Sequence, residues 1–262
     1  ALRARPPVHR AHLSEIDHVR WCEVGRARRR LTRRSDRRPL DGLVAMWRAG
    51  TLRTRAVVIL RHGRAVKREA WDGDEATRPL TRMGRARAEH GVGLLAAYGI
   101  REVQTSPWQR CCRTVEPYAR AAGLTPRDVP EITEAAARKA PAGATRAMRR
   151  ALGLGQPAAV CSHRPVLGLL CGVVRDAAGA SRAIRRAIPK TDPYLRTAEL
   201  LVVHVLDQSA DRGENAENAA NPRGGSGSGG TGRHGRGGVT VVAVERHRAG
   251  GQAVGRAAAA TG

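Results

Sequence analysis

The run Val57-Val-Ile-Leu-Arg-His-Gly-Arg-Ala65 sets a guanidinium beside an imidazole at the end of an apolar stretch. Val57 to Leu60, three of them β-branched, predict a buried strand. Arg61 and His62 fall at its carboxyl end, the place where open α/β sheets bind ligands. Gly63 follows, and its missing side chain lets backbone approach a ligand closely. A fixed cation beside an imidazole suits an anionic substrate met by a nucleophile. Pro157-Ala-Ala-Val-Cys161 predicts another apolar strand, which delivers Ser162-His163-Arg164-Pro165. Glu102-Val103-Gln104-Thr105 predicts a short strand ending at Ser106-Pro107-Trp108-Gln109-Arg110. Arg61-His62 and His163 then meet on one edge of a sheet, and Arg110 joins them from a loop.

The elements between these strands are helical. Thr81 is placed to cap a helix that runs to about Tyr98, with Gly99 as its stop. A second helix is expected over Arg110 to Ala122, ending at Gly123, a third over 143–152, and a fourth over Val166 to Val174. Ile132-Thr133-Glu134 is expected in a loop after Pro130, and Asp72, Asp74 and Glu75 on the surface. Glu199 to Leu206 and Val239 to Val244 predict two closing strands. Residues 208–238 are Gly, Ser, Asn and Arg with almost nothing to bury, which predicts a disordered loop. Alternating strands and helices define an α/β fold, a three-layer sandwich around a mostly parallel sheet. The expected division is 1–55, then a domain over 56–250, then a flexible tail over 251–262. Within 1–55, Ile16, Val19, Trp21 and Val24 predict a short strand, Glu23 to Leu31 a basic helix, and Leu40 to Trp47 a second helix.

The formal charge of +24 over 262 residues first suggests a polyanionic partner. Of the 47 basic residues only Lys67, Lys139 and Lys190 are lysine, and phenylalanine is absent, a skew expected of a GC-rich coding sequence. Much of the arginine is therefore compositional, which argues against dedicated nucleic-acid recognition. The five cysteines, Cys22, Cys111, Cys112, Cys161 and Cys171, are odd in number and lack metal-ligand spacing, as in a reduced cytoplasmic protein. No apolar run approaches the ~20 residues of a membrane span, so no membrane partner is expected.

Four runs, in order, carry a resemblance: Arg61-His62-Gly63, Leu80-Thr81-x-x-Gly84, Ser106-Pro107-x-x-Arg110-x-x-x-Thr114, and Ser162-His163. The pattern resembles the histidine phosphatase (phosphoglycerate mutase-like) superfamily over about residues 56–206 plus the final strand. Arg78-Pro79-Leu80-Thr81 and His163-x-Pro165-x-x-Gly168 resemble the short bacterial phosphohistidine phosphatases in particular. Glu15 to Val24 is similar to the end of a Nudix hydrolase domain, as in actinobacterial proteins that join a Nudix and a histidine phosphatase domain. No glycine-led, glutamate-rich metal helix is present, so Nudix chemistry does not carry over.

The resemblance implies a phosphatase with His62 as covalent nucleophile and Arg61, Arg110 and His163 around the phosphoryl group, with no metal and no cofactor. The chemistry suits those residue types. Guanidinium forks match the phosphoryl oxygens, and a neutral imidazole needs no separate base. Glu134 occupies the place of the general acid that many members carry and the short phosphohistidine phosphatases lack. A solvated loop charge is the other reading of Glu134. The implied substrate is a phosphomonoester or a phosphoramidate, as a small phosphorylated molecule or a phosphorylated protein, with a nucleotide as alternative. The reading from a different class is a non-catalytic, basic polyanion-binding protein. Trp71 and Trp108 either frame the pocket mouth or pack in the interior.

Overall fold

The computed structural model describes residues 18–206, 239–248 and 258–259. The chain divides into two compact units, Ala1–Leu52 and Arg53–Gly262. In the first, α1 (Val24–Arg30) and α2 (Arg34–Arg48) bury no residue. The strand expected around Val19 to Val24 does not form among the described residues. Val19, Trp21 and Val24 are 43%, 50% and 46% exposed, and with no neighbouring strand among the described residues to complete a ladder, Val24 instead opens a helix. The second helix starts at Arg34, ahead of the expected Leu40, and carries Pro39 inside it. Arg28 Nε meets Asp41 at 3.2 Å between the two helices.

The second unit is built on a seven-stranded sheet: β1 (Thr54–Arg61), β2 (Glu102–Thr105), β3 (Arg127–Asp128), β4 (Ala158–Ser162), β5 (Glu199–Leu206), β6 (Val241–Arg248) and β7 (Ala258–Ala259). Their order is β3-β2-β4-β1-β5-β6-β7. The first four run parallel, and β5, β6 and β7 are added antiparallel. In the parallel pair β1 and β4, Arg61 lies opposite Ser162, which brings His62 and His163 to the same edge.

Helices cover both faces: α3 (Arg82–Ala97) and α4 (Gln109–Ala122) on one, α5 (Glu134–Lys139), α6 (Pro141–Leu152), α7 (Arg164–Ala177) and α8 (Arg182–Ala187) on the other. The pleat of β1 explains this division. Val58 and Leu60 pack with Leu95, Cys111 and Val115, while Val57 and Ile59 pack with Met148, Leu167 and Ile184. A valine or leucine buried this completely contributes about 1.5–3 kcal/mol. Thr81 caps α3 by accepting from the Gly84 N–H at 3.1 Å, and Gly123 ends α4 in the left-handed region at φ 65°.

Two expectations change. Ile132-Thr133-Glu134 is not a plain loop: Thr133 caps α5, accepting from Ala136 N–H at 3.1 Å, and Glu134 is that helix's first residue. The alanine-rich run after Thr133 is a good helix former. The strand expected over Val239 to Val244 is β6, which starts at Val241 and runs on to Arg248. The expected loop at 208–238 and the tail at 251–262 lie outside the described residues, apart from Ala258–Ala259 in β7. Among the described residues no helix is long and apolar enough to cross a membrane, and all five cysteines are free.

Candidate active site

His62 is the first residue beyond β1 and is only 7% exposed. Its backbone N–H reaches the Ser162 carbonyl at 3.1 Å, which fixes it against β4. The ring Nδ1 lies 2.7 Å from the Gly63 carbonyl. A carbonyl can only accept, so Nδ1 carries the proton and Nε2 keeps its lone pair. Burial, aided by Arg110, Arg61 and Arg78, pushes the ring's pKa down to about 3, so it is neutral at physiological pH. Gly63 and Gly84 bring the start of α3 against this turn. A Cβ on Gly84 would sit 2.1 Å from the Arg64 carbonyl, so no larger residue fits there. Thr114 adds a tie from α4, its Oγ1 accepting from Gly63 N–H at 2.9 Å.

Arg61 is held from the other side. Its Nη1 donates to the Leu195 carbonyl at 2.7 Å, and Ala198 N–H reaches the carbonyls of Arg61 and His62 at 3.1 and 3.2 Å. Ala198 takes φ 59°, a conformation that costs a non-glycine residue about 1–3 kcal/mol and is sustained by these bonds. The fully buried Glu199 anchors the segment, accepting from Arg196 N–H at 2.5 Å and from Arg246 Nη2 at 2.8 Å.

Arg110 enters from the first turn of α4 and is completely buried. Nη1 donates to the Glu75 carbonyl at 2.9 Å, and Nη2 meets Glu134 Oε1 at 2.7 Å and Glu75 Oε1 at 3.0 Å. Its Cζ lies 4.6 Å from the Trp108 ring centroid. The Glu75 carboxylate also receives Arg78 Nη2 at 2.7 Å and Arg68 Nη2 at 3.0 Å. Burial raises its pKa, but the hydrogen bonds from Arg78 and Arg68 outweigh that and bring it to about 2. Glu75 is thus not the solvated surface acid the sequence suggests. It fixes three guanidinium groups.

His163 is fully buried at the end of β4. Nε2 lies 2.7 Å from Ser106 Oγ, which already accepts from Trp108 N–H at 3.3 Å, so the hydroxyl proton is available to Nε2. That arrangement leaves the imidazole proton on Nδ1, 3.4 Å from Glu134 Oε1. Burial, then His62 and Arg110, lowers the ring's pKa strongly, so it too is neutral. The two imidazoles stand 5.3 Å apart, and Trp108 lies edge-on to His163 at 4.8 Å as packing behind the site.

The expected residues Arg61, His62, Arg110, Glu134 and His163 therefore converge. A cavity of about 500 Å³ opens over them, lined by Arg61, His62 and Glu134. Arg61 and Arg110 each keep a buried Nε without a hydrogen-bond partner among the described residues. The Glu134 carboxylate sits on Arg110 and His163 as an internal anion. The site can hold an oxyanion, present a bare imidazole nitrogen to it, and place a carboxylate beside it.

His62, Glu134 and His163 also bring one ligand atom each to within 4.8 Å of one another. Their surroundings oppose a cation. Arg61, Arg78 and Arg110 crowd the place, Glu134 is committed to Arg110, and His163 Nε2 to Ser106.

Sequence reasoning missed Glu75, Arg68, Ser106 Oγ and Glu199. Arg78 stood in a quoted motif without a role, and only its place beside Pro79-Leu80-Thr81 hinted at one.

Residues 57–151 match the family model of the histidine phosphatase superfamily (branch 1). An 8-oxo-(d)GTP phosphatase of Mycolicibacterium smegmatis is 34% identical over 122 residues, an overlap of 47% of this chain and 37% of that protein. The chain thus spans well under half the length of this curated relative. Among solved structures, SixA from Agrobacterium tumefaciens aligns at 21% identity and TM-score 0.43, over 57% of this chain and 90% of that one. A protein histidine phosphatase SixA complexed with tungstate aligns at 23% identity and TM-score 0.43, over 56% and 86%.

Proposed function

We propose that this protein is a phosphatase that hydrolyses a terminal phosphoryl group, from a phosphomonoester or phosphoramidate, through a phosphohistidine at His62. The observation that carries the reading is the His62 ring: Nδ1 donates to the Gly63 carbonyl at 2.7 Å, leaving Nε2 bare in a cavity walled by guanidinium groups. The phosphoryl oxygens take the place of the Glu134 carboxylate on Arg110 and His163 Nδ1, with Arg61 as the second fork. Nε2 forms a bond to phosphorus while the bond to the leaving group breaks, and the leaving atom takes the electron pair. Glu134, displaced next to the new anion, binds a proton and hands it to a departing oxygen. Water then attacks phosphorus and gives a proton to the Glu134 carboxylate, the N–P bond breaks, and its pair returns to Nε2. Arginines supply the positive charge, so no metal takes part. The segment 1–55 is read as the end of a Nudix-like domain.

A second reading, a nucleotide as substrate, is favoured by the overlap with the 8-oxo-(d)GTP phosphatase.

Rapid quench with a labelled substrate tests the mechanism. Acid-labile, base-stable phosphate is expected on the wild-type protein and none on His62→Ala, whose turnover is abolished while its fold persists. Undiminished turnover in His62→Ala sinks the reading. EDTA is expected to leave the rate unchanged; loss restored by magnesium or zinc contradicts the metal-free step.

A further inference from the structure

The cavity over His62 holds more positive charge than one phosphoryl group uses. Six cationic side chains line it, Arg61, Arg64, Lys67, Arg68, Arg78 and Arg164, against the carboxylates of Glu134 and Asp192. Arg68 and Arg78 are committed to Glu75, and Arg164 Nε donates to Asp192 Oδ1 at 2.8 Å. Arg64 and Lys67 are different. Both are exposed, both sit on the segment that leaves His62, and their side chains make no ion pair among the described residues. Lys67 also runs against the composition. Only three of the 47 basic residues are lysine, so an arginine on this surface needs no explanation and a lysine on a cavity wall does.

We propose that Arg64 and Lys67 form a second anion subsite that binds the leaving group, and that the substrate is therefore a phosphoanhydride, either inorganic or the diphosphate end of a nucleotide. The proposal rests on the phosphohistidine mechanism above and follows its second, nucleotide reading in substrate class, an anhydride in place of the phosphomonoester or phosphoramidate. In-line attack puts the leaving group opposite Nε2, towards the open cavity. A phosphoanhydride leaves as a phosphate: the N–P bond forms, the P–O bond to the bridging oxygen breaks, and the electron pair stays on that oxygen. The charge that develops there is met by a lysine point charge and a guanidinium fork. A phosphohistidine leaves as an imidazole, which is neutral or cationic and gains nothing from flanking cations.

The test compares kcat/KM on inorganic pyrophosphate and ADP with kcat/KM on p-nitrophenyl phosphate and phosphoramidate, for the full chain and for Arg64→Ala/Lys67→Ala. The ratio of the anhydrides to the monoester is expected to fall at least tenfold in the double variant, with the melting temperature unchanged because both side chains are exposed. A drop on ADP alone assigns the subsite to a nucleotide, and an equal drop on both anhydrides assigns it to the diphosphate itself. A ratio that stays constant overturns the proposal while leaving the phosphatase reading standing. Wild-type protein inert on all four substrates overturns both.

Discussion

Among the described residues, two places set a pair of histidines around one glutamate, and they are built for different ends. At the edge of the parallel strands, His62, His163 and Glu134 share a buried site with Arg61, Arg78 and Arg110. On the antiparallel side, Glu245 meets His204 Nε2 at 2.5 Å and His247 Nε2 at 3.2 Å, and Tyr98 at the end of α3 adds its hydroxyl at 3.2 Å. Here burial raises the carboxyl's pKa, but His204 outweighs it and the group lies below its ordinary range. In the second cluster the Glu245 carboxylate, the Tyr98 hydroxyl and both imidazole Nε2 atoms are paired with one another. In the first, guanidinium groups claim the carboxylate, the imidazoles stay neutral, and Nε2 of His62 remains bare. The same residue types make a cross-strand clasp in one place and a reactive site in the other. The neighbouring charges decide which.

Removing Arg110 breaks the comparison most severely. Arg110→Ala strips Glu75 and Glu134 of their buried partner, a loss expected to cost about 3–5 kcal/mol of stability, and turnover should fall about 10²–10³-fold for the lost phosphoryl donor. If that variant does not fold, Arg110→Lys keeps the charge without the fork and should retain the fold with most of the rate lost. His204→Ala in the other cluster should cost about 1–3 kcal/mol, because Glu245 loses a hydrogen bond, and leave turnover within about twofold. Equal rate losses at Arg110 and His204, read by kcat/KM and urea midpoints, would erase the distinction.

Glu134→Gln sharpens it. The amide keeps the shape but neither competes for Arg110 as an anion nor delivers a proton. Turnover of alkyl phosphates should drop roughly 10²-fold, with a much smaller effect on p-nitrophenyl phosphate, whose leaving group needs no proton. Vanadate should bind the variant more tightly, since the internal anion is gone. Weaker vanadate binding would show that Glu134 is not a competitor for the phosphoryl place.

What could be read from the sequence, and what could not, follows the range of the interactions. The apolar runs of β1 and β4 carry His62 and His163 to a common edge by local pattern alone, and the Ser106-Pro107 turn places Arg110. Glu75 could not be found that way. Its 3₁₀ turn lies 35 positions before Arg110, among acids that look like an ordinary solvated loop, and only the folded path brings it onto three arginines. The same holds for Ser106 Oγ on His163, 57 positions apart, and for Glu199 behind Arg61. The strand expected near Trp21 had the opposite cause: its apolar residues fit a strand, but among the described residues no neighbouring strand pairs with it and the basic run continues as helix.

The smallest effect is a pH slope. Unfolded histidine titrates near 6.5, whereas the His62 ring stays neutral down to about 3 in the fold, and His163 is shifted the same way. Between these values the unfolded chain binds more protons than the native protein, so stability is complete above about 6.5 and falls as pH drops towards 3. Well inside that window each such ring contributes a slope of about 1.4 kcal/mol per pH unit. Glu75, held near 2, adds a loss of the same direction only once pH falls below its unfolded value of 4.5. Measurements between pH 7.5 and 5 therefore isolate the imidazoles. Urea midpoints of the wild-type protein should fall across that range, and His62→Gln should fall less steeply by about one proton's worth of slope. Parallel slopes would mean that His62 takes up its proton in the folded state, and with that the bare Nε2 on which the nucleophilic reading depends would be lost.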